Sequence, residues 1–192
     1  MTRRCHDARG YTLMDLLVVL ALIGIVSAVA LPGLQGAVLS MRVGQGARDV
    51  ERELQSARLV AVTANRPVRV RFNCPEAGAY RTVELLGTPR APLADDAAAG
   101  RCSPVVYPYP PADRNPLTLP NLDGPVRWLP QGVTFAGAVT LEFWPDGSVH
   151  QQVGTEAPWL PLGENGTTIT VTRNGRTRSV VVNAIGKIQL QS

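Results

Sequence analysis

Between Tyr11 and Met41 the chain carries a single charge, Asp15, at the edge of an otherwise apolar run. Residues 16–31 alone make a helix of roughly 24 Å at 1.5 Å per residue, and the uncharged flanks extend it to bilayer length. A carboxylate at the rim of hydrocarbon is costly without a partner, so ionisable residues there usually have a function. Pro32 and Gly33 predict a bend or a local loosening of the helix, not its end. Helical signal resumes beyond them: Leu39, Val43, Ala47, Val50, Leu54, Ala57 and Ala61 recur at spacings of four and three. That is one apolar seam, with Arg48, Asp49, Glu51, Arg52 and Glu53 mostly off it. The expectation is one helix from about 11 to about 63, apolar all round over about 11–35 and amphipathic afterwards.

The period then changes. "RPVRVRF" (66–72) and "RTVELL" (81–86) alternate as half-buried strands do. Residues 87–125 hold nine of the sixteen prolines and no periodicity, which predicts a long inserted loop. Strand signal returns in "VTLEFWPDGSV" (139–149), with "PDG" as its turn, then in "TTITVT" (167–172) and "RSVVVNAIGKIQL" (178–190). Between the last two, "RNGRT" carries the Asn-Gly hairpin signature. The fold class expected is α+β, with a long N-terminal helix packed through its amphipathic half on an antiparallel β-sheet domain over 64–192.

With 45% hydrophobic and 18% charged residues in a chain of 192, the composition supports one modest core and excludes a disordered or coiled-coil protein. The net charge is +4, and without residues 1–10 it is +2, from 16 basic and 14 acidic side chains. Residues 165–192 hold Arg173, Arg176, Arg178 and Lys187 and no acid. Such a segment either attracts a polyanion or is simply a solvated face. Cys5 lies near the N-terminus, leaving Cys74 and Cys102; an even pair in an exported chain reads as one disulfide, with two buried thiols as the alternative. Neither a CxxC nor a Cys/His spacing suggests zinc.

Two export readings compete. A Sec-type signal needs a basic start, an apolar core and a small-residue cut, which Arg3, Arg4 and "AVA" at 28–30 satisfy loosely. On that reading the product is a secreted β domain whose first thirty residues are discarded. The other reading cuts at Gly10–Tyr11, before the apolar run, and retains the run as an anchor.

The stretch "RGYTLMDLLVVLALIGIVSAVALP" resembles the class III leader and N-terminal helix of type IV pilins and type II secretion pseudopilins. The matching elements are a basic leader (1–10) ending in Gly10, the aromatic Tyr11, an acidic residue at the fifth mature position, and Pro32 at the twenty-second. Downstream, "ARLVAVTANRPVRVRF", "LEFWPDGSV" and "RSVVVNAIGKIQL" are similar to the GspH/FimT branch of these pilin-like proteins. The resemblance implies cleavage after Gly10 by prepilin peptidase, N-methylation of Tyr11, and a single-pass anchor in the bacterial inner membrane with a periplasmic domain. It also implies assembly with other pilin or pseudopilin subunits, Asp15 pairing with a neighbouring subunit's amine. Asp15 stands where the family usually has the longer glutamate. The function implied is a FimT-like minor pilin of a type IV pilus, the alternative being a GspH-like pseudopilin of a type II secretion tip complex.

FimT-like pilins bind DNA through a C-terminal motif of the form GRxR. "GRTR" at 175–178 has that form, whereas alignment on the last strand places the motif on "GKIQ" at 186–189. The DNA-contacting residues implied are Arg173, Arg176, Arg178 and Lys187, with phosphates as the target. Catalysis finds no constellation: His6 falls in the leader, and no nucleophile elbow lies near His150, which is expected to face solvent from a strand. No cofactor and no metal are expected. Trp128, Trp144 and Trp159 are expected as core or rim aromatics.

Overall fold

A computed structural model describes residues 13–85, 96, 98–103, 123–152 and 159–191, the side chains of Leu31, Pro32 and Ala99 excepted. The leader, Gly10 and Tyr11 lie outside the described residues. The chain divides into two compact units, one through Leu39 and one from Ser40.

Helix α1, Leu13–Ala64, runs unbroken through Pro32 and Gly33. From Leu13 to Ala30 every side chain is exposed, and this is one helix long and apolar enough to cross a membrane. In the second unit Val43, Ala47, Val50, Leu54, Ala57 and Ala61 are all fully buried, as the seam predicted.

Among the described residues ten strands follow: β1 Val68–Phe72, β2 Ala79–Glu84, β3 Arg127–Trp128, β4 Thr134–Ala136, β5 Leu141–Phe143, β6 Val149–Gln152, β7 Trp159–Pro161, β8 Thr167–Arg173, β9 Arg176–Val182 and β10 Ile188–Gln191. They form two antiparallel sheets, ordered β3-β2-β1-β5-β6-β7 and β10-β9-β8-β4. The helical seam shares one core with both, against Val68, Val70, Leu141, Phe143 and Val149 of the first sheet and Ile169, Val171, Val180 and Val182 of the second. The α+β architecture is therefore as expected, with two sheets in place of one.

Local chemistry explains the turns. Asn174 and Gly175 take φ of 48° and 76° in the β8–β9 hairpin, the left-handed pair that an Asn-Gly turn of type I′ requires. The expected single strand over 178–190 is corrected to two. Asn183 breaks it, its Oδ1 accepting from the Lys187 amide at 2.7 Å while its carbonyl accepts from the Gly186 amide at 3.0 Å. A side chain that bonds its own backbone in this way competes with the ladder and makes a turn.

Candidate functional site

Strand β1 reads Val-Arg-Val-Arg-Phe, so Val68, Val70 and Phe72 turn to the helix and Arg69 and Arg71 to the other face. The ladders place Arg69 opposite Val83 and Glu142, Arg71 opposite Arg81, and Glu142 opposite His150. A solvated outer face is the ordinary expectation for such alternation. Here it is covered instead, and Arg69 is 4% exposed.

The cover comes from the described part of the inserted segment, which includes a 3-10 turn, Ala99–Cys102. Three strand arginines hold it by its main chain. Arg69 donates to the Asp96 carbonyl at 2.8 Å, and Arg71 to that of Ala98 at 2.6 Å. Arg81 donates to the carbonyls of Arg101 at 2.8 Å, Ser103 at 2.6 Å and Gly124 at 2.6 Å. Cys102 is bonded to Cys74, with the Cα atoms 5.1 Å apart, so the expected disulfide ties the insertion to the end of β1.

The charges beneath are compensated in place. Arg69 gives two hydrogen bonds to Glu142 Oε1, from Nε at 3.0 Å and Nη2 at 2.5 Å, and lies 4.3 Å over the Trp159 ring. The fully buried Arg101 meets Asp123 at 2.6 Å and Asp96 at 3.6 Å. Burial raises the Glu142 carboxyl pKa above the usual range, and Arg69 opposes that shift. Burial likewise lowers Arg71, helped by the positive charges of Arg69 and Arg101. Such pairs are stable only when every charge has a partner, which makes this face a rigid support for the insertion.

The expectation that His150 faces solvent is corrected. His150 is 5% exposed and stacks on Trp144 with ring centroids 3.9 Å apart. Its Nδ1 has no hydrogen-bond partner among the described residues. Burial lowers its pKa, and Asp146 opposes the shift. Trp159 is buried and Trp144 partly buried, while Trp128 is exposed on β3.

The sequence-predicted basic residues divide between two places. Arg173 and Arg176 face each other across the β8–β9 hairpin, and Arg178 lies opposite Val171 on the next pair of that face. Arg173 also donates to the Gln131 carbonyl. Lys187 sits beyond the other end of β9, six residues or about 20 Å along the strand from Arg176. Asp15 occupies the first turn of α1, where a carboxylate complements the positive end of the helix dipole. Among the described residues no three His, Cys, Asp or Glu side chains gather closely enough to share a metal ion.

Sequence reasoning missed Arg58. This helix residue donates from Nη2 to the Ile185 carbonyl at 3.2 Å, between the β5–β6 and β9–β10 turns. Gly186 has φ of 73°, and a Cβ there would stand 2.5 Å from Arg58 Nε and 2.7 Å from the Gly147 carbonyl oxygen. The "PDG" and "AIG" turns thus meet across one arginine, and only a missing side chain permits the approach.

No family model matches the chain, and no curated protein matches it. Among solved structures it is similar to the type IV minor pilin FimU of Pseudomonas aeruginosa in two crystal forms. Both are 15% identical to it over 78% of this chain, covering 88% and 92% of FimU, with TM-scores of 0.44 and 0.42. Likeness at this level assigns no family, and the function follows from the chain's own residues.

Proposed function

We propose that this protein is a minor pilin-type subunit of the GspH/FimT kind, cleaved after Gly10, N-methylated at Tyr11, anchored in the inner membrane and assembled into a type IV pilus. The observation that carries the reading is α1 itself. Its first eighteen described residues are exposed and carry no charge but that of Asp15, yet the same helix continues as the buried seam of the β unit. A discarded signal sequence has no need of that continuity, whereas a subunit that leaves a bilayer to join a helical bundle does. Asp15 is then the group that meets the amine of a neighbouring Tyr11, a pairing that is favourable in hydrocarbon only when both charges are present. The role is structural and not enzymatic.

Mass spectrometry of membrane-extracted protein tests the reading: the expected mature chain begins at methylated Tyr11, and a chain beginning at Leu31 refutes it. Asp15→Ala should leave protein level unchanged and reduce incorporation into filaments, with Asp15→Glu restoring it. A chain that co-assembles with a secretion channel instead of a pilus belongs to the pseudopilin alternative.

Contact with DNA is a second element of the proposal, favoured by the gathering of Arg173, Arg176 and Arg178 at one hairpin in a segment without acids. Removing one arginine that neutralises a phosphate should flatten the slope of log affinity against log salt by about 0.9. Arg176→Ala with Arg178→Ala should therefore flatten it by about twice that amount, and Lys187→Gln should act separately. Equal binding by wild type and the double variant removes DNA from the function.

A further inference from the structure

Between the helix and the last strand of the second sheet lies a groove of about 550 Å³, lined by the apolar Leu59, Val62 and Ile188 and by the cationic Arg58 and Lys187, the latter in the turn just before β10. Among the described residues no acidic side chain lines it. Large apolar side chains are exposed around it: Leu59 is 64% exposed and Ile185 72%, with Val62 and Leu190 also in solvent. Leu190 follows Ile188 by two residues and so shares its face of β10. Among the described residues from Ser40 on, these four are most of the large apolar side chains left in water, and a concentration of this kind marks an interaction surface.

The border of the groove is β10, the edge of its sheet. One side of the strand is bonded to β9; on the other side no strand pairs with it among the described residues, which leaves its main-chain donors and acceptors as an edge. Its sequence, Ile-Gln-Leu-Gln, has neither the charge nor the proline that commonly protects such an edge. A strand added here would continue the sheet over the groove. Its alternate side chains would point onto Leu59 and Val62, and its end would reach the cationic turn. Main-chain pairing with side-chain pockets at every second position is the physics of strand addition.

We propose that this groove takes up an extended segment of another protein, apolar at alternate positions and carrying a carboxylate at one end, as a fifth strand beside β10. A second copy of this chain fits less well: the strand it would add, residues 188–191, carries no acidic side chain to meet Arg58 and Lys187. The inference holds whichever assembly the chain serves.

The test uses the full chain in lipid nanodiscs with fluorescein-labelled peptides of alternating valine and threonine, one with glutamate at either end and matched controls carrying lysine. Fluorescence anisotropy should show binding of one or both glutamate peptides and at least tenfold weaker binding of the lysine controls. Backbone N-methylation of the peptide should abolish binding. Hydrogen exchange should slow at residues 188–191 on binding and not at 134–136, the other edge of the same sheet. Lys187→Glu and Leu59→Ser, both at exposed positions, should each weaken binding about tenfold, and Lys187→Arg should retain it. No binding, equal binding of glutamate and lysine peptides, or protection elsewhere overturns the proposal. Self-association of the chain that blocks the peptide assigns the edge to a second copy, and displacement by duplex DNA assigns the groove to phosphates; each overturns it too.

Discussion

The guanidinium of Arg58 and the carbonyl of Ile185 are 3.2 Å apart, and this bond joins the helix to the β9–β10 turn of the second sheet. The same arginine lies beside the β5–β6 turn of the first sheet at Gly147. A direct main-chain bond, from the Val149 amide to the Ala184 carbonyl at 3.1 Å, links the sheets at this place as well. The three layers of the β unit are thus tied at one corner.

Gly186→Ala should accordingly be among the more damaging small substitutions. A left-handed φ costs an L-residue roughly 1–2 kcal/mol. Displacing Arg58 and the Gly147 carbonyl adds overpacking strain of about 1–3 kcal/mol. Thermal melting followed by near-ultraviolet circular dichroism should show a clear loss, whereas Gly44→Ala, at a helix position with open space, should be neutral or stabilising.

The Arg69–Glu142 pair predicts strong coupling. Glu142→Gln removes the counter-charge of a buried guanidinium, a change that costs about 3–5 kcal/mol. Arg69→Met combined with Glu142→Leu should lie closer to wild type than either single variant, and a denaturant double-mutant cycle measures the difference. Additive effects would mean the two charges do not depend on each other.

Stability should fall on mild acidification because of His150. Its folded pKa is lowered by burial from the ordinary 6.5, so below that pH the unfolded chain takes up a proton that the folded chain resists. The contribution is fully present above 6.5 and is lost as the pH drops toward the lowered value. Glu142, raised by burial, acts in the opposite sense, its contribution being lost as the pH rises through its raised value, and Asp146, lowered by its bonds to Ser148, keeps its contribution above 3.8 and loses it as the pH falls further. His150→Phe keeps the stack on Trp144 and should flatten melting temperature between pH 7.5 and 5.5.

The Cys74–Cys102 bond closes a 28-residue separation, worth about 3–4 kcal/mol in the chain-entropy model. Reduction, or Cys102→Ser, should lower the melting temperature and make the inserted segment the first site of proteolytic cutting. An unchanged cutting pattern would show that the arginines alone suffice to hold it.

Much of this architecture is legible in the sequence because it is periodic. The seam from Val43 to Ala61 is wholly buried, and the Asn-Gly and "PDG" signals fall at real turns. What escapes is aperiodic or tertiary. Alternation in "RVRF" assigns Arg69 and Arg71 to one face but cannot tell that a distant, proline-rich segment covers it. The burial of His150 escapes as well, since its stack on Trp144, on the face that Glu142 and Arg69 share, is a tertiary contact. The break at Asn183 rests on a local side-chain bond inside a run that otherwise alternates as one strand. Arg58 reads as one more polar residue on an amphipathic helix, because its acceptor is a backbone atom 127 residues away.

The clamp on the inserted segment grips main-chain oxygens, those of Asp96, Ala98, Arg101, Ser103 and Gly124. Every residue type has such an oxygen, so Arg71 and Arg81 recognise a path and not a sequence. Mutational tolerance is therefore lopsided. Ala98 can drift to other residues as long as the backbone keeps its course, while loss of one strand arginine releases up to three holds together. A lineage could redecorate this surface, and with it whatever the surface meets, without renegotiating the fold underneath.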